Sequence, residues 1–477
     1  MEKELQFGGK GAKGNISLWV KWFILLALLF RNLGFPGSAM SEELLHQPGK
    51  PVTLQEVKAI ALNFHPSLRA SLEQIIAAKA VVEQSLQTYY PNLNFNNTVN
   101  AYTTNFTSSS SPTTITGVSS GSRYTWTFNH VYSSGLNFSQ TIWDFGRTYH
   151  TVEQNRETVK ANEEGLAIIR LNVLLTVEQA YYTVLQTQRL IGVAQETVNQ
   201  AKHHLVQAQG FFDAGRSPKI DVTKAKVDLA NAELNLIQAR SNYEVAQVSL
   251  NNAMGLRRDL TFTIEDNLAY VPHPITIEEI LQAGYDNRPE IRQLKAQQAA
   301  QEAAIKVAQA ANFPILSANA SFLNRSVSWD QRFYWDAFAG ASLSIPLFNG
   351  FLAPNTIAQN RALLRSLQAQ EENTKLSIEL EAEQAFLALR VAEEQIQATQ
   401  IAMGQAEENF VLATGRYQVG VGSPLEITDA EVSLANARGN YINALYNFKI
   451  AKAKIQKAMG LIGILEDTFV RPKAGKW

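Results

Sequence analysis

Two hydrophobic patterns alternate along the chain, and each predicts a different secondary structure. Four segments place apolar or aromatic residues at every second position, between residues such as Asn, Ser, Thr and Gly. This spacing is typical of β-strands with one apolar face. The predicted strands cover about residues 92–106, 122–143, 314–326 and 332–348. Much longer segments repeat apolar residues every three or four positions, which predicts helices.

Two of the predicted helices are far longer than those of ordinary globular domains. Proline is absent between Thr151 and Ser217, and again between Asn355 and Ser423. At a rise of 1.5 Å per residue, each run of ~60 residues would span ~90 Å. The apolar positions keep a 3.5-residue period, which predicts left-handed coiled-coil packing. In the second run these positions are Ile378, Ala382, Ala385, Leu389, Ala392, Ile396, Thr399, Met403, Ala406, Phe410, Ala413 and Tyr417.

The chain carries two copies of one structural unit. Thr53–Val57 recurs as Thr276–Ile280, 223 residues later, whereas Ala253–Leu256 recurs as Ala458–Leu461, 205 residues later. The 18-residue difference assigns an extra loop, rich in Ser, Thr and Gly, to the first copy. We therefore divide the chain into an export signal, a first repeat, a linker, a second repeat and a tail, at residues 1–39, 40–255, 256–275, 276–461 and 462–477.

The N-terminal segment has the features of an export signal. Four lysines precede the apolar run Trp22–Phe30, and the small residues 37–39 suit cleavage before Met40. The apolar run is shorter than the ~20 residues of a membrane-spanning helix, and a short N-terminal anchor is the alternative. No later segment has 18 consecutive apolar residues. The pattern predicts an exported protein without a transmembrane helix.

The composition narrows the classes of function. The 42 Lys and Arg residues balance 43 Asp and Glu residues, so the charge indicates no basic surface for nucleic acid. Only 18% of the residues are charged, against about 25% in ordinary soluble domains. Much of the surface is therefore predicted to be neutral and polar, or to face lipid. The absence of cysteine excludes disulfides, thiolate metal sites and a cysteine nucleophile.

No constellation of residues predicts catalysis. The seven histidines are scattered along the chain. The adjacent His203 and His204 would point about 100° apart on a helix, so they cannot share a metal ion. We interpret both as ordinary helix-surface residues. The sequence predicts no enzyme, no metal site and no cofactor.

The number of predicted strands indicates an assembly of several chains. Four spanning strands cannot close a barrel, and an open sheet edge cannot face lipid. Three chains related by cyclic symmetry would supply twelve strands. The predicted fold class is therefore mainly α with a β-barrel part, in which long coiled-coil helices extend a barrel of four strands per chain. A half-buried sheet in a soluble protein is the alternative.

Together these features resemble the TolC family of outer-membrane efflux ducts. The motifs that carry the resemblance are Trp143–Gly146, Phe212–Gly215 with Asp221-Val222, Leu347–Gly350, and Tyr417–Gly420 with Glu426-Ile427. It implies a homotrimer in the outer membrane of a Gram-negative bacterium, with a 12-stranded barrel in outer-membrane lipid and an α-barrel crossing the periplasm. It also implies docking to a periplasmic adaptor protein and an inner-membrane transporter. Drug efflux, metal efflux and type I secretion stay open.

The turns between the long helices are the predicted periplasmic mouth. Glycine ends one helix, and serine followed by proline begins the next. The turn residues are Gly215, Ser217, Pro218, Gly420, Ser423 and Pro424. Glu426 stands three residues after Ser423, which predicts a capping box.

The resemblance also implies two sets of functional residues near these turns. The family's constriction carboxylates match Glu426 and Asp429, which share a helix face because they lie three residues apart. The family's gate latch matches Tyr417 and Asp221, but Gly422 stands where an accompanying Arg is expected. The alternatives are a capping role for Glu426, simple packing of Tyr417 and a solvated helix-start role for Asp221.

Two functions from different classes remain at this point. The first is a passive exit duct, which needs a wet bore and a selective mouth. The second is a trimeric envelope-spanning scaffold or adhesin, with a stalk and a membrane anchor but no conducting path. The duplication and the two hairpin turns in each chain favour the duct.

Overall fold

The computed structural model describes residues 51–104, 127–256, 263–272, 274–326 and 334–461. The predicted export signal, the C-terminal tail and parts of the predicted strands lie outside these ranges. The elements are α1 (Leu54–Phe64), α2 (Pro66–Ser85), β1 (Asn92–Thr104), β2 (Thr127–Trp143), α3 (Arg147–Asp213), α4 (Lys219–Ala253), α5 (Ile277–Asn287), α6 (Pro289–Ala310), β3 (Ile315–Ser326), β4 (Tyr334–Ser344), α7 (Leu352–Gln418) and α8 (Pro424–Ala458).

The chain divides into two compact units, residues 1–53 with 261–265 and residues 54–260 with 266–477. In the described part of the smaller unit, Val52 forms a parallel β-bridge with Ile264. The Val52 N–H donates to the Thr263 carbonyl oxygen at 2.8 Å, and the Glu265 N–H donates to the Val52 carbonyl oxygen at 3.1 Å. Part of the predicted linker therefore pairs with the segment that precedes α1. The named helices and strands belong to the larger unit.

The helix lengths repeat between the two halves of the larger unit. Helices α3 and α7 have 67 residues each, and α4 and α8 have 35 residues each. Both members of the second half begin 205 residues after their counterparts, at Leu352 against Arg147 and at Pro424 against Lys219. At 1.5 Å per residue, a 67-residue helix spans ~100 Å. Among the helices in the described ranges, none combines the length and the apolarity needed to cross a bilayer.

The predicted coiled-coil packing is confirmed. Helix α7 packs along α8 and α6, and α3 packs along α4, α2, α6 and α8. Of the ladder predicted for α7, only Thr399, Met403 and Phe410 are less than fully buried. The frequent Ala residues in this ladder leave room for close approach between helices. Burial along the 3.5-residue seam therefore holds the long helices in place, since helices in proteins are stabilised mainly by tertiary packing.

The four strands form one antiparallel sheet in the order β1-β2-β3-β4. The register pairs Leu93 with Phe138, Leu136 with Phe322, and Phe322 with Ala337. Because side chains alternate along a strand, these pairings place the four predicted apolar sets on one face of the sheet. Many of these apolar side chains are exposed in the single chain. Within the described ranges, the sheet thus has an uncovered apolar face and two unpaired edges, along β1 and β4.

Short left-handed segments join the strands to the long helices. Phe145 and Gly146 have φ angles of 53° and 82° before α3, and Gly350 and Phe351 have φ angles of 64° and 62° before α7. Asp144 fixes the first join, because its carboxylate accepts a hydrogen bond from the Thr148 N–H at 2.8 Å. Phe145-Gly146 and Gly350-Phe351 have glycine in opposite order, yet both form a left-handed corner between a strand and a long helix.

Candidate functional site at the helical hairpin turns

The turns of the two hairpins have the same backbone conformation. Gly215 follows α3 with a φ angle of 68°, and Gly420 follows α7 with a φ angle of 82°. A Cβ atom built on either glycine would meet no atom within 4 Å. Glycine is therefore favoured here by the left-handed backbone and not by crowding.

The two inner helices begin differently. Ser423 caps α8, because its hydroxyl accepts a hydrogen bond from the Glu426 N–H at 3.2 Å. The predicted serine cap of α4 is wrong. Pro218 occupies that N-cap position, and the buried Ser217 hydroxyl has no hydrogen-bond partner. The first hairpin turn therefore lacks the serine cap that fixes the second.

Glu426 does not complete the predicted capping box. Its carboxylate instead contacts Arg416, in the last turn of α7, with 3.3 Å between Arg416 Nε and Glu426 Oε2. A full capping box does exist at the start of α5, where Thr276 and Glu279 bond reciprocally. Glu426 thus forms an exposed ion pair across the turn, with only its backbone N–H engaged in capping.

Asp429 lies one turn further along α8, and its side chain is exposed. Among the described residues, it forms no ion pair. Its counterpart in the first repeat, Lys224, is half-buried, as is Asp221, the counterpart of Glu426. Of the two predicted constriction carboxylates, Asp429 is therefore the one without a cationic partner among the described residues, whereas Glu426 pairs with Arg416.

Gly422 occupies a position that has no room for a side chain. A Cβ atom there would lie 2.9 Å from Tyr417 N and 3.1 Å from the Arg416 carbonyl carbon. The Gly422 N–H donates to the Arg416 carbonyl oxygen at 3.0 Å. A residue with a side chain at this position would therefore force the Arg416–Tyr417 backbone to shift.

Tyr417 is buried, with 5% of its surface exposed. Its ring packs edge-on against the His204 ring at 5.5 Å and the Phe211 ring at 5.4 Å between centroids. The Tyr417 hydroxyl has no hydrogen-bond partner among the described residues. Burial raises the pKa of Tyr417, and the nearby charge of Asp221 raises it further. Tyr417 and Asp221 are thus neighbours without the hydrogen bond of a latch, which stays a prediction.

A buried polar group that was not predicted lies deeper between the hairpins. His203 is exposed as predicted, but His204 is 6% exposed, so its interpretation as a surface residue is wrong. Glu431 on α8 is equally buried. The signal for Glu431 was present in the sequence, because it interrupts the apolar ladder of Ile427, Ala430 and Leu434. Within the described ranges, no three His, Cys, Asp or Glu residues are arranged to hold a metal ion.

Comparison with known proteins gives the family. The family model described as outer membrane efflux protein matches residues 59–256 and 280–461. The chain belongs to the outer membrane efflux protein family. The predicted TolC-like fold and the outer-membrane localisation are thereby confirmed, and the chain is a transport channel of this family and not an enzyme.

Individual members of the family are distant from this chain. It is 26% identical to the probable efflux pump outer membrane protein TtgC of Pseudomonas putida over 340 residues, 69% of each chain. It is 25% identical to the cation efflux system protein CusC of Escherichia coli over 358 residues, 69% of this chain and 73% of that one. The structure of the Campylobacter jejuni CmeC outer membrane channel matches with a TM-score of 0.71 at 19% identity, over 85% of each chain.

Proposed function

We propose that three copies of this chain form a passive exit duct that spans the outer membrane and continues into the periplasm. The uncovered apolar face and the two unpaired edges of the four-stranded sheet carry this proposal. An open edge cannot face lipid, because its N–H and C=O groups would lack partners. Pairing β4 of one chain with β1 of the next closes a 12-stranded barrel in a homotrimer.

The long helices supply the rest of the duct. In each chain the two hairpins, α3 with α4 and α7 with α8, run from the sheet towards the turns at Gly215 and Gly420. Six hairpins in a trimer would enclose the bore, with the turns at its periplasmic mouth. A periplasmic adaptor protein and an inner-membrane transporter would dock on this part and deliver the cargo. The duct itself contains no energy source in this scheme.

Glu426 and Asp429 are proposed as the constriction of the duct. In a trimer they form two rings of three carboxylates, and such rings concentrate cations at a narrow opening. Arg416 neutralises Glu426 in part, so the Asp429 ring is expected to dominate. Among the relatives named above, CusC is named as a cation efflux system protein, but nothing in the described residues of this chain selects a cargo.

Single-channel recording tests the duct. Purified trimers in a planar lipid bilayer are expected to give stable, cation-selective conductance steps in symmetric KCl. Correctly assembled trimers that insert into the bilayer without any conductance would favour the scaffold or adhesin instead. Co-purification with a cross-linked adaptor tests the partner separately, because conductance does not require it.

A further inference from the structure

The two hairpins of one chain meet at a polar cluster in which two members are buried and two, Asp228 and Thr428, are half-buried. The cluster consists of His204 on α3, Asp228 on α4, and Thr428 and Glu431 on α8. His204 and Glu431 are each 6% exposed. Charged and polar side chains are rarely buried to this degree without a specific partner.

Hydrogen bonding and helix geometry place two carboxylates together in this cluster. The Thr428 hydroxyl donates to Asp228 Oδ2 at 3.3 Å, across the junction between the hairpins. Thr428 and Glu431 lie three residues apart on α8, so they share one helix face. Asp228 therefore faces Glu431. Two carboxylates in one poorly hydrated site cannot both carry a charge without strong repulsion.

The other charged groups on the neighbouring helices either pair with another residue or act on His204. From α7, Glu407 pairs with Arg438 at 3.0 Å, and Tyr417 stays neutral because its pKa is raised. From α4, Asp221 and Lys224 act on His204 with opposite signs. Asp228 is thus the charged neighbour whose carboxylate raises the pKa of Glu431.

The cluster occurs at only one of the two related positions in the chain. A shift of 205 residues places Lys226 where the second repeat has Glu431, and Ser433 where the first repeat has Asp228. The duplication alone therefore does not account for the two acids. In a trimer this contact would occur three times.

We propose that Asp228 and Glu431 form a proton-dependent contact that holds the two hairpins of each chain together. With one proton on the pair, the carboxylates pack side by side and the mouth stays narrow. Without that proton, repulsion separates the hairpins and widens the mouth. This role rests on the proposed duct function.

The expected pH dependence follows from the direction of the pKa shifts. Burial, followed by the charge of Asp228, raises the pKa of Glu431 from 4.5 to about 7 in the packed state. A separated, hydrated Glu431 would return to its ordinary pKa. The packed state therefore keeps a proton that the separated state releases, and rising pH between these values favours separation.

His204 gives the packed state the opposite pH dependence. Burial lowers its pKa below the ordinary value of 6.5, and the nearby Asp228 only partly offsets this. The packed state thus favours neutral His204, a contribution that is present above pH 6.5 and is lost as the pH falls through the lowered pKa. Glu431 and His204 have opposite effects on the stability of the packed state where their titration ranges overlap. The test therefore needs a variant of each residue.

Conductance of whole trimers between pH 5 and pH 8 tests the contact. The unmodified duct is expected to conduct several-fold more at pH 8 than at pH 5. Glu431→Gln and Asp228→Asn should remove most of this rise, because one carboxylate remains. His204→Gln should steepen the rise, because it removes the opposing group. Glu233→Gln on the exposed face of α4 is the matched control, and it should keep the unmodified profile.

Thermal melting of the trimer provides a second measurement that does not depend on conduction. The melting temperature of the unmodified trimer should fall between pH 5 and pH 8, and that of Glu431→Gln should fall less. Glu431→Gln trimers with unmodified pH profiles in both measurements would overturn the contact. Trimers that carry no current at any pH, but melt as expected, would overturn the duct function and leave the contact supported.

Discussion

At the scale of single residues, Arg416 sets the balance between the two carboxylates of the proposed constriction. It contacts Glu426 across the turn, whereas Asp429 has no cationic partner among the described residues. The Arg416–Glu426 pair is exposed, so it adds little to stability. Its main effect is on the charge that Glu426 presents to the bore.

We predict that Asp429→Ala lowers cation selectivity and weakens block by multivalent cations more than Glu426→Ala does. Arg416→Gln should raise selectivity, because it frees the Glu426 carboxylate. The measurement is the reversal potential in a KCl gradient. Ser423→Ala is the control, since it removes the helix cap, at a cost of about 0.5–2 kcal/mol, without changing a charge. Equal reversal potentials for Asp429→Ala and the unmodified duct would exclude a constriction at this position.

Tyr417 is the second residue whose environment leads to a prediction. Its buried hydroxyl lacks a partner, and Asp221 is a charged acceptor nearby. A hydrogen bond to a charged group is worth about 1.5–3 kcal/mol. Such a bond, made in each of three chains, would bias the mouth strongly towards the closed state.

We predict that Tyr417→Phe combined with Asp221→Ala raises the resting conductance several-fold while the trimer is preserved. Tyr417→Phe alone should produce part of this rise, because it removes the hydroxyl that would donate to Asp221. Coinciding conductances for the double variant and the unmodified protein, in trimers of equal stability, would show that the two residues do not hold the gate.

At the scale of elements, the ends of the hairpins far from the turns are held by packing and by a charge network. The recurring Ala-Met-Gly-Leu motif ends α4 and α8. A Cβ atom on Gly255 would lie 2.8 Å from His65 Cα, and one on Gly460 would lie 3.0 Å from the Asn287 carbonyl carbon. The glycine recurs because each inner helix ends against the corner between two short helices.

The charge network joins α5, α7 and α8. Arg288, which is 5% exposed, lies 2.6 Å from Glu381 Oε2 through its Nη2 atom. Its Nη1 atom donates to the Lys457 carbonyl oxygen, and the Lys457 ammonium lies 3.0 Å from Glu381 Oε1. Burial by itself would raise the pKa of Glu381, but Arg288 and Lys457 outweigh it and lower that pKa.

We predict that Glu381→Gln destabilises the trimer at neutral pH by about 1.5–3 kcal/mol, the value of a hydrogen bond to a charged group. The variant removes one of the two carboxylates that pair with the buried Arg288, the other being Glu290, and it also removes the partner of the Lys457 ammonium. A lowered carboxyl pKa contributes stability above the ordinary value, and this stability is lost as the pH falls through the lowered pKa. The difference in melting temperature between variant and unmodified protein should therefore shrink in acid. Glu383→Gln, at an exposed position on the same helix, should melt like the unmodified protein at both pH values.

At the scale of the whole molecule, the unpaired edges of the sheet determine the assembly. Among the residues that the structure describes, strands β1 and β4 each have one unpaired edge, and nothing covers the apolar face between them. The apolar face suits contact with lipid, but the open edges are not compatible with a monomer in lipid, because their N–H and C=O groups would lack partners.

We predict an obligate trimer in detergent. Light scattering with correction for bound detergent should give three chains, and circular dichroism should show loss of strand signal when the trimer dissociates. The reason is that each strand edge obtains its backbone partners from the neighbouring chain. A stable monomer with full strand content would contradict both the closed barrel and the duct.

Sequence alone determined the features that depend on local periodicity. The coiled-coil ladder of α7 follows from apolar spacing, and it is buried apart from Thr399, Met403 and Phe410. The apolar face of the sheet follows from alternation, and the duplication follows from recurring motifs. These patterns are legible because a helix or a strand repeats its geometry along the chain, so the spacing of residue types reports which face is covered.

Only the tertiary structure decided the contacts between distant segments. No local pattern indicated that His204 would be buried near Asp228, or that the Glu426 carboxylate would pair with Arg416 and not complete the predicted capping box. Such contacts depend on which helices lie side by side and on their rotation about their axes. A shift of one residue in that rotation turns a side chain by about 100°, from a buried seam to solvent. Local spacing fixes the elements, whereas the packing of α3, α4, α7 and α8 fixes the chemistry between them.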